Sequence, residues 1–236
     1  MHITGLQKMT LLDFPGKVAC TVFLQGCNFR CPFCHNSELL GAESPQALST
    51  DALLAFLKKR IGLLDGVCIT GGEPTLQPDL PELLRAIKDM GYAIKLDTNG
   101  YRPDVLQQLG DAGLLDYVAM DIKNSPNRYP ETTGLLRFSQ DKIEQSIRYL
   151  MYGTLPFEFR TTVVAEYHNA ESIQQMGQWL QQLAPDRKIP QLFLQPFADR
   201  ESVLQAGLHT PTEGDLQAFC AILAPYADFV KIRGQS

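Results

Sequence analysis

The chain has 236 residues, a length that suits one α/β barrel or at most two smaller domains. Hydrophobic residues make up 44%, charged residues 20% and aromatic residues 9%, the composition of an ordinary globular protein. Acidic residues outnumber basic ones by 26 to 21, and the net charge of -5 argues against a nucleic-acid binder.

No apolar run approaches the ~18 residues of a membrane span. Met1 to Gly5 lacks a charged start followed by an apolar stretch, so no secretory signal is read and the expected location is cytoplasmic. In that compartment six cysteines do not read as a disulfide framework.

Val18 to Leu24 is a nearly continuous apolar run, as expected for a strand covered on both faces. Ser49 or Thr50 caps an expected helix with Leu53, Leu54, Leu57, Ile61 and Leu64 along one side. Gly66 to Thr70 is the next strand. Asp79 and Pro81 open a helix with Leu83, Leu84, Ile87 and Met90 inward and Gly91 as its terminator. Tyr92 to Asp97 reads as a strand, Pro103 to Ala112 as a helix and Leu115 to Asp121 as a strand. Asp141 to Tyr152 is a helix, Phe157 to Val164 a strand and Ala170 to Leu183 a helix that includes Trp179 as a core residue. Gln191 to Gln195, Thr212 to Leu223 and Phe229 to Ile232 complete the series as strand, helix and short strand.

Repeated strand–helix units argue for an α/β fold with a parallel sheet, doubly wound or curled. Polar or glycine-rich clusters close nearly every strand: Gln25-Gly26-Cys27, Thr70-Gly71-Gly72-Glu73, Asp97-Thr98-Asn99-Gly100 and Asp121-Ile122-Lys123. Arg160 lies in the fifth strand and Gln195 ends the sixth. One mouth lined by many strand ends favours a partial (β/α)6 TIM-like barrel over an open sheet. Residues 1–236 read as a single domain, with a loop at 26–36 after the first strand and 197–236 completing the last unit.

Three cysteines crowd that loop as Cys27-x3-Cys31-x2-Cys34. Thiolates this close can wrap one metal centre. Zinc wants a fourth ligand; His35 is adjacent and keeps zinc open, whereas Cys20, Cys68 and Cys220 sit in apolar runs and read as buried structural residues. A [4Fe-4S] cluster on three cysteines would leave one iron open for reaction.

This spacing resembles the signature of the radical SAM superfamily. Leu24 to Asn36, with Thr10-Leu11-Leu12-Asp13-Phe14-Pro15-Gly16 upstream, more narrowly resembles the glycyl-radical-enzyme activating enzymes. Among them the activating proteins of anaerobic ribonucleoside-triphosphate reductase are most similar in length and texture. The resemblance implies a [4Fe-4S] cluster on Cys27, Cys31 and Cys34, with S-adenosyl-L-methionine on its open iron. Reductive cleavage would give methionine and a 5′-deoxyadenosyl radical, which takes hydrogen from a glycine of a partner glycyl radical enzyme. No catalytic residue is implied beyond the cluster and the cofactor.

By the same resemblance, Gly71, Gly72, Glu73 and Pro74 cup the methionine amino group. Asp121 and Lys123, two apart on an extended segment, lie near the ribose and carboxylate, and Arg160 pairs with the carboxylate. Asp97 and Thr98, before Asn99, match positions that hold a monovalent cation; an Asx turn is the other reading. Gln195 supplies an adenine wall. Phe33 either stacks near the adenine or plugs the loop, beside His35 and Asn36.

No cysteine-rich insertion lies between Cys34 and Gly71, which implies a one-cluster enzyme. The implied partners are a glycyl radical enzyme, closest to anaerobic ribonucleotide reductase, and a flavodoxin or ferredoxin donor, with no membrane or nucleic acid. A radical SAM enzyme acting on a small molecule or tRNA base is the alternative, and a non-catalytic zinc or iron–sulfur module is the alternative of another class. Asn124 to Thr133 and Phe197 to His209 are expected as exposed loops at the mouth. His2, His168 and His209 are expected to be solvated or structural.

Overall fold

The computed structural model describes residues 1–41 and 48–234. The chain forms two compact units. One comprises Met1–Asn28, Glu38–Thr98 and Asp104–Ala119; the other comprises Phe29–Ser37, Asn99–Pro103 and the chain from Met120 onward.

The first unit opens with β1 (Ile3–Thr10), antiparallel to β2 (Ala19–Leu24). It continues through α1 (Thr50–Lys58), β3 (Gly66–Gly71), α2 (Leu80–Asp89), β4 (Ala93–Thr98), most of α3 (Pro103–Asp111) and the start of β5 (Tyr117–Asp121). β2, β3 and β4 are parallel neighbours, with Thr21 opposite Cys68 and Cys68 opposite Lys95. Because side chains alternate along a strand, these three share one face, while Val22, Ile69 and Leu96 share the other. Lys88 of α2 binds Asp116 at 2.7 Å, and Asp116 accepts from the Ile94 amide at 2.6 Å, which anchors the helix to the edge of β4.

The second unit holds the end of β5, α4 (Tyr129–Thr133), α5 (Gln140–Tyr152), β6 (Phe157–Val163), α6 (Ala170–Leu183), β7 (Leu192–Pro196), α7 (Glu213–Leu223) and β8 (Val230–Ile232). β6, β7 and β8 are parallel neighbours. Reciprocal caps start α6 at Asn169 and Ser172, and α7 at Thr212 and Asp215. Trp179 is buried as expected and donates its indole N–H to Glu144 at 3.0 Å.

Most expected elements are present, with four differences. β1 was not expected: only its ends, Ile3 and Thr10, are buried, so the alternation that marks a half-buried strand is missing. α1 stops at Lys58, which leaves Ile61 55% exposed instead of inward. Asn124 to Thr133 is not an exposed loop. Asn124, Ser125, Tyr129, Thr132 and Thr133 are buried, and the Asn124 amide donates to Thr132 and to the Tyr167 carbonyl. In Phe197 to His209, Phe197 and Leu208 are buried anchors under exposed neighbours. Cys20 and Cys68 are buried, whereas Cys220 is half-buried. Among the described residues, no helix is long and apolar enough to cross a membrane.

Candidate active site

In the first unit, backbone ties the carboxyl ends of β2 and β3 together. The Gly72 amide donates to the Leu24 carbonyl at 2.9 Å and the Glu73 amide to the Gly26 carbonyl at 2.7 Å. That approach excludes side chains: a Cβ on Gly71 would lie 2.2 Å from the Leu24 oxygen, and one on Gly72 would lie 2.1 Å from the Gly26 oxygen. Gly71 also has φ of 126°, outside the range of ordinary residues. In the structure, the chain itself fills the space their missing side chains leave. Cys27 follows Gly26 directly, so this turn sets where the first cysteine emerges.

Glu73 is wholly buried. Its Oε1 accepts from the Thr75 amide at 3.1 Å, the Thr75 hydroxyl and the Thr98 hydroxyl at 2.8 Å. Pro74, also buried, begins a single 3-10 turn that brings Thr75 back to Glu73. Two residues before Asp97 on β4, the Lys95 ammonium donates to Asp97 Oδ1 and lies 3.9 Å from the Cys68 sulfur.

The second unit carries Cys31 and Cys34. The Cys34 amide donates to the Cys31 carbonyl at 3.0 Å, which curls the loop. Burial pushes the Cys31 thiol up to about 11, partly opposed by the Lys123 ammonium. Such a thiol gives up its proton on binding a metal. Phe33 is 3% exposed and packs against Tyr167 and His168 at ring distances of 5.8 and 6.5 Å, so it plugs the loop. His168 is structural: its ring meets the Lys123 carbonyl at 2.9 Å and the Val164 amide at 3.1 Å.

Asp121 ends β5 between two cations. Its Oδ1 accepts from Arg160 Nε at 3.0 Å and its Oδ2 from Lys123 Nζ at 2.9 Å. Ladder pairing aligns them, because the Ile122 amide donates to the Arg160 carbonyl at 2.8 Å. Burial works against the Lys123 charge, but the Asp121 carboxylate together with Cys31 and Tyr129 outweighs it and the pKa is raised. Arg160 and Lys123 are both donors of the kind that bind a carboxylate. Asn99 Oδ1 accepts from the Tyr101 amide at 3.0 Å, an Asx turn. Asn36 and Gln195 are half-buried.

Residues from Phe197 onward strap the cysteine loop. Phe197 stacks on the His35 ring at 5.4 Å. The Ser202 hydroxyl donates to the His35 carbonyl at 2.6 Å, and the Ser37 hydroxyl donates back to the Ser202 carbonyl. The Gln205 amide donates to the Pro32 carbonyl at 2.9 Å. Burial and Arg200 lower the His35 pKa, and its Nε2 is buried without a hydrogen-bond partner. Ser202 and Lys95 escaped the sequence reading. Ser202 sits in a segment with no periodicity; Lys95 left one trace, a lysine in an apolar strand two residues before an aspartate.

Among the described residues, no three His, Cys, Asp or Glu side chains already stand close enough to hold a metal ion. The donor set nevertheless fits an iron–sulfur cluster: three thiols on one loop, with a neutral imidazole beside them. Asp121, Lys123 and Arg160 fit a carboxylate, and Glu73 fits an ammonium.

Residues 21–180 match the model of the Radical SAM superfamily. A protein of Methanocaldococcus jannaschii assigned as a glycyl-radical enzyme activating enzyme is 31% identical over 238 residues, spanning 98% of this chain and 95% of that one. The pyruvate formate-lyase-activating enzyme of Clostridium pasteurianum is 33% identical over 128 residues, 52% of each chain. A radical SAM methyltransferase from Sphaerobacter thermophilus superposes with a TM-score of 0.73 over 95% of this chain and 68% of its own, at 15% identity. These likenesses show a mostly parallel α/β fold of the radical SAM type, the partial-barrel class expected from the sequence.

Proposed function

The chain belongs to the radical SAM superfamily, oxidoreductases that work with a [4Fe-4S] cluster and S-adenosylmethionine, and we propose that within it the chain activates a glycyl radical enzyme. The observation that carries this reading is the match, along 98% of the chain, to a protein assigned as an activating enzyme, in a chain that carries Cys27, Cys31 and Cys34 as free cysteines. When bound, the reduced cluster supplies the electron that cleaves S-adenosylmethionine to methionine and a 5′-deoxyadenosyl radical. The hydrogen atom taken from the Cα of a partner glycine would end on the 5′ carbon as 5′-deoxyadenosine, and the glycine would keep the stored radical.

The chain's own residues take the following roles. Cys27, Cys31 and Cys34 hold the cluster. Glu73, kept as an acceptor by Thr75 and Thr98, takes the methionine ammonium, with Gly71, Gly72 and Pro74 shaping that turn. Arg160 and Lys123 take the carboxylate, held in place by Asp121. His35, Asn36, Asn99 and Gln195 contribute polar contacts, and buried Phe33 would help keep water from the cysteine loop. Sealing matters because a primary alkyl radical attacks any hydrogen within reach.

Anaerobic ribonucleotide reductase is the proposed partner and a flavodoxin or ferredoxin the proposed donor, in the cytoplasm, with the whole chain as one radical SAM domain. The test is electron paramagnetic resonance of anaerobic ribonucleotide reductase after incubation with reconstituted protein, reductant and S-adenosylmethionine, with pyruvate formate-lyase in parallel. A glycyl doublet on the reductase alone supports the assignment; one on the lyase alone moves the partner.

A further inference from the structure

We propose that the ammonium of Lys95 takes the place of a bound monovalent cation at Asp97, so that this chain binds its cofactor without one. The inference rests on the functional reading above, since the resemblance led us to expect a cation at Asp97 and Thr98. The residues present do not fit one. The Lys95 side chain is 1% exposed and its ammonium donates directly to Asp97 Oδ1, on a carboxylate 15% exposed. β4 points both side chains to the same face, so the lysine reaches Asp97 from within the strand that carries it.

A buried ammonium needs a counter-charge, and among the described residues Lys95 Nζ meets the anionic Asp97 carboxylate and the Cys68 sulfur at 3.9 Å. The same holds in reverse for a carboxylate at the edge of a cofactor site, which wants one fixed positive charge beside it. Lys95 supplies that charge covalently. An alkali ion on the same carboxylate would stand against the ammonium in a poorly solvated place, where like charges repel strongly. The Thr98 hydroxyl meanwhile donates to Glu73 at 2.8 Å, so it serves the acceptor for the methionine ammonium. Lys95 is thus a positioning residue: it holds the Asp97 carboxylate in place without touching the cofactor.

The test measures S-adenosylmethionine binding to the reconstituted protein by calorimetry, with tetramethylammonium, sodium or potassium as the sole monovalent cation. The wild type is expected to keep its Kd within about twofold across the three. Lys95→Met is expected to bind roughly tenfold more weakly in tetramethylammonium and to recover in sodium or potassium. Lys95→Arg, which keeps the charge, is expected to be indifferent to the cation. A wild type that binds about tenfold better in sodium or potassium overturns the proposal, as does a folded Lys95→Met protein indifferent to the cation. If Lys95→Met does not fold, the wild-type series and Lys95→Arg still decide. Absence of binding in every buffer overturns the cofactor-site reading itself, and this inference with it.

Discussion

Arg160 and Lys123 grip different oxygens of one carboxylate, Asp121, at 3.0 and 2.9 Å. The arginine arrives from β6 and the lysine from two residues beyond Asp121, so ladder pairing and local chain together fix a cationic pair. An arginine fork meets a carboxylate in a way a lysine cannot. Arg160→Lys is therefore expected to raise the Kd for S-adenosylmethionine about tenfold while the melting temperature hardly moves. Asp121→Asn is expected to cost about 2 kcal/mol or more of folding stability, because it removes an anion that two largely buried cations share. Calorimetry and thermal melting separate the two; unchanged affinity in Arg160→Lys would remove Arg160 from the cofactor site.

Gly72→Ala tests why the glycine pair is there. A methyl group 2.1 Å from the Gly26 carbonyl oxygen forces β2 and β3 apart at their ends. Overpacking of this kind costs roughly 1–3 kcal/mol, or several degrees of melting temperature in a chain of this size. The loss is expected in the apoprotein with no ligand present. Normal melting with impaired cofactor binding would show instead that the glycine serves only the ligand.

Much of this was legible in advance, for definite reasons. Apolar runs in β2, β3 and β4 and amphipathic periods in α2 and α6 obey rules that act within a few residues. The cysteine triplet was legible because three ligands of one metal lie on one short loop. Lys95 and Ser202 were not legible, because their significance rests on partners. Lys95 matters through register with Cys68 and proximity to Asp97, and Ser202 through a loop far away in sequence. Which atoms fill the space beside Gly72 was not legible, since nothing local says what packs against a glycine.

His168 should give the protein an acid limit. Burial lowers its pKa from 6.5 to about 4, so between those values the unfolded chain binds the proton that the folded chain refuses. Unfolding free energy therefore rises with pH across that window, and acidification from 6.5 to 4 costs about 3 kcal/mol through this group. Denaturant melts of wild type and His168→Gln across that range are expected to converge toward low pH. Parallel pH profiles would mean that His168 is protonated without penalty.

Ser202→Ala tests the strap. It removes the hydroxyl that donates to the His35 carbonyl, a contact worth about 1 kcal/mol. The reconstituted variant is expected to lose iron to a chelator several-fold faster than wild type, followed by the cluster's visible absorbance. Equal rates would show that the loop holds its shape without Ser202.

The central claim is reductive cleavage of S-adenosylmethionine by the centre on Cys27, Cys31 and Cys34. Its most direct test is anaerobic: reconstitute with iron and sulfide, reduce with dithionite, add S-adenosylmethionine and quantify 5′-deoxyadenosine by chromatography, with Cys31→Ala in parallel. The account predicts 5′-deoxyadenosine from the wild type and none from Cys31→Ala. A protein that retains zinc and cannot be loaded with a cluster, or equal product from the two proteins, would contradict it.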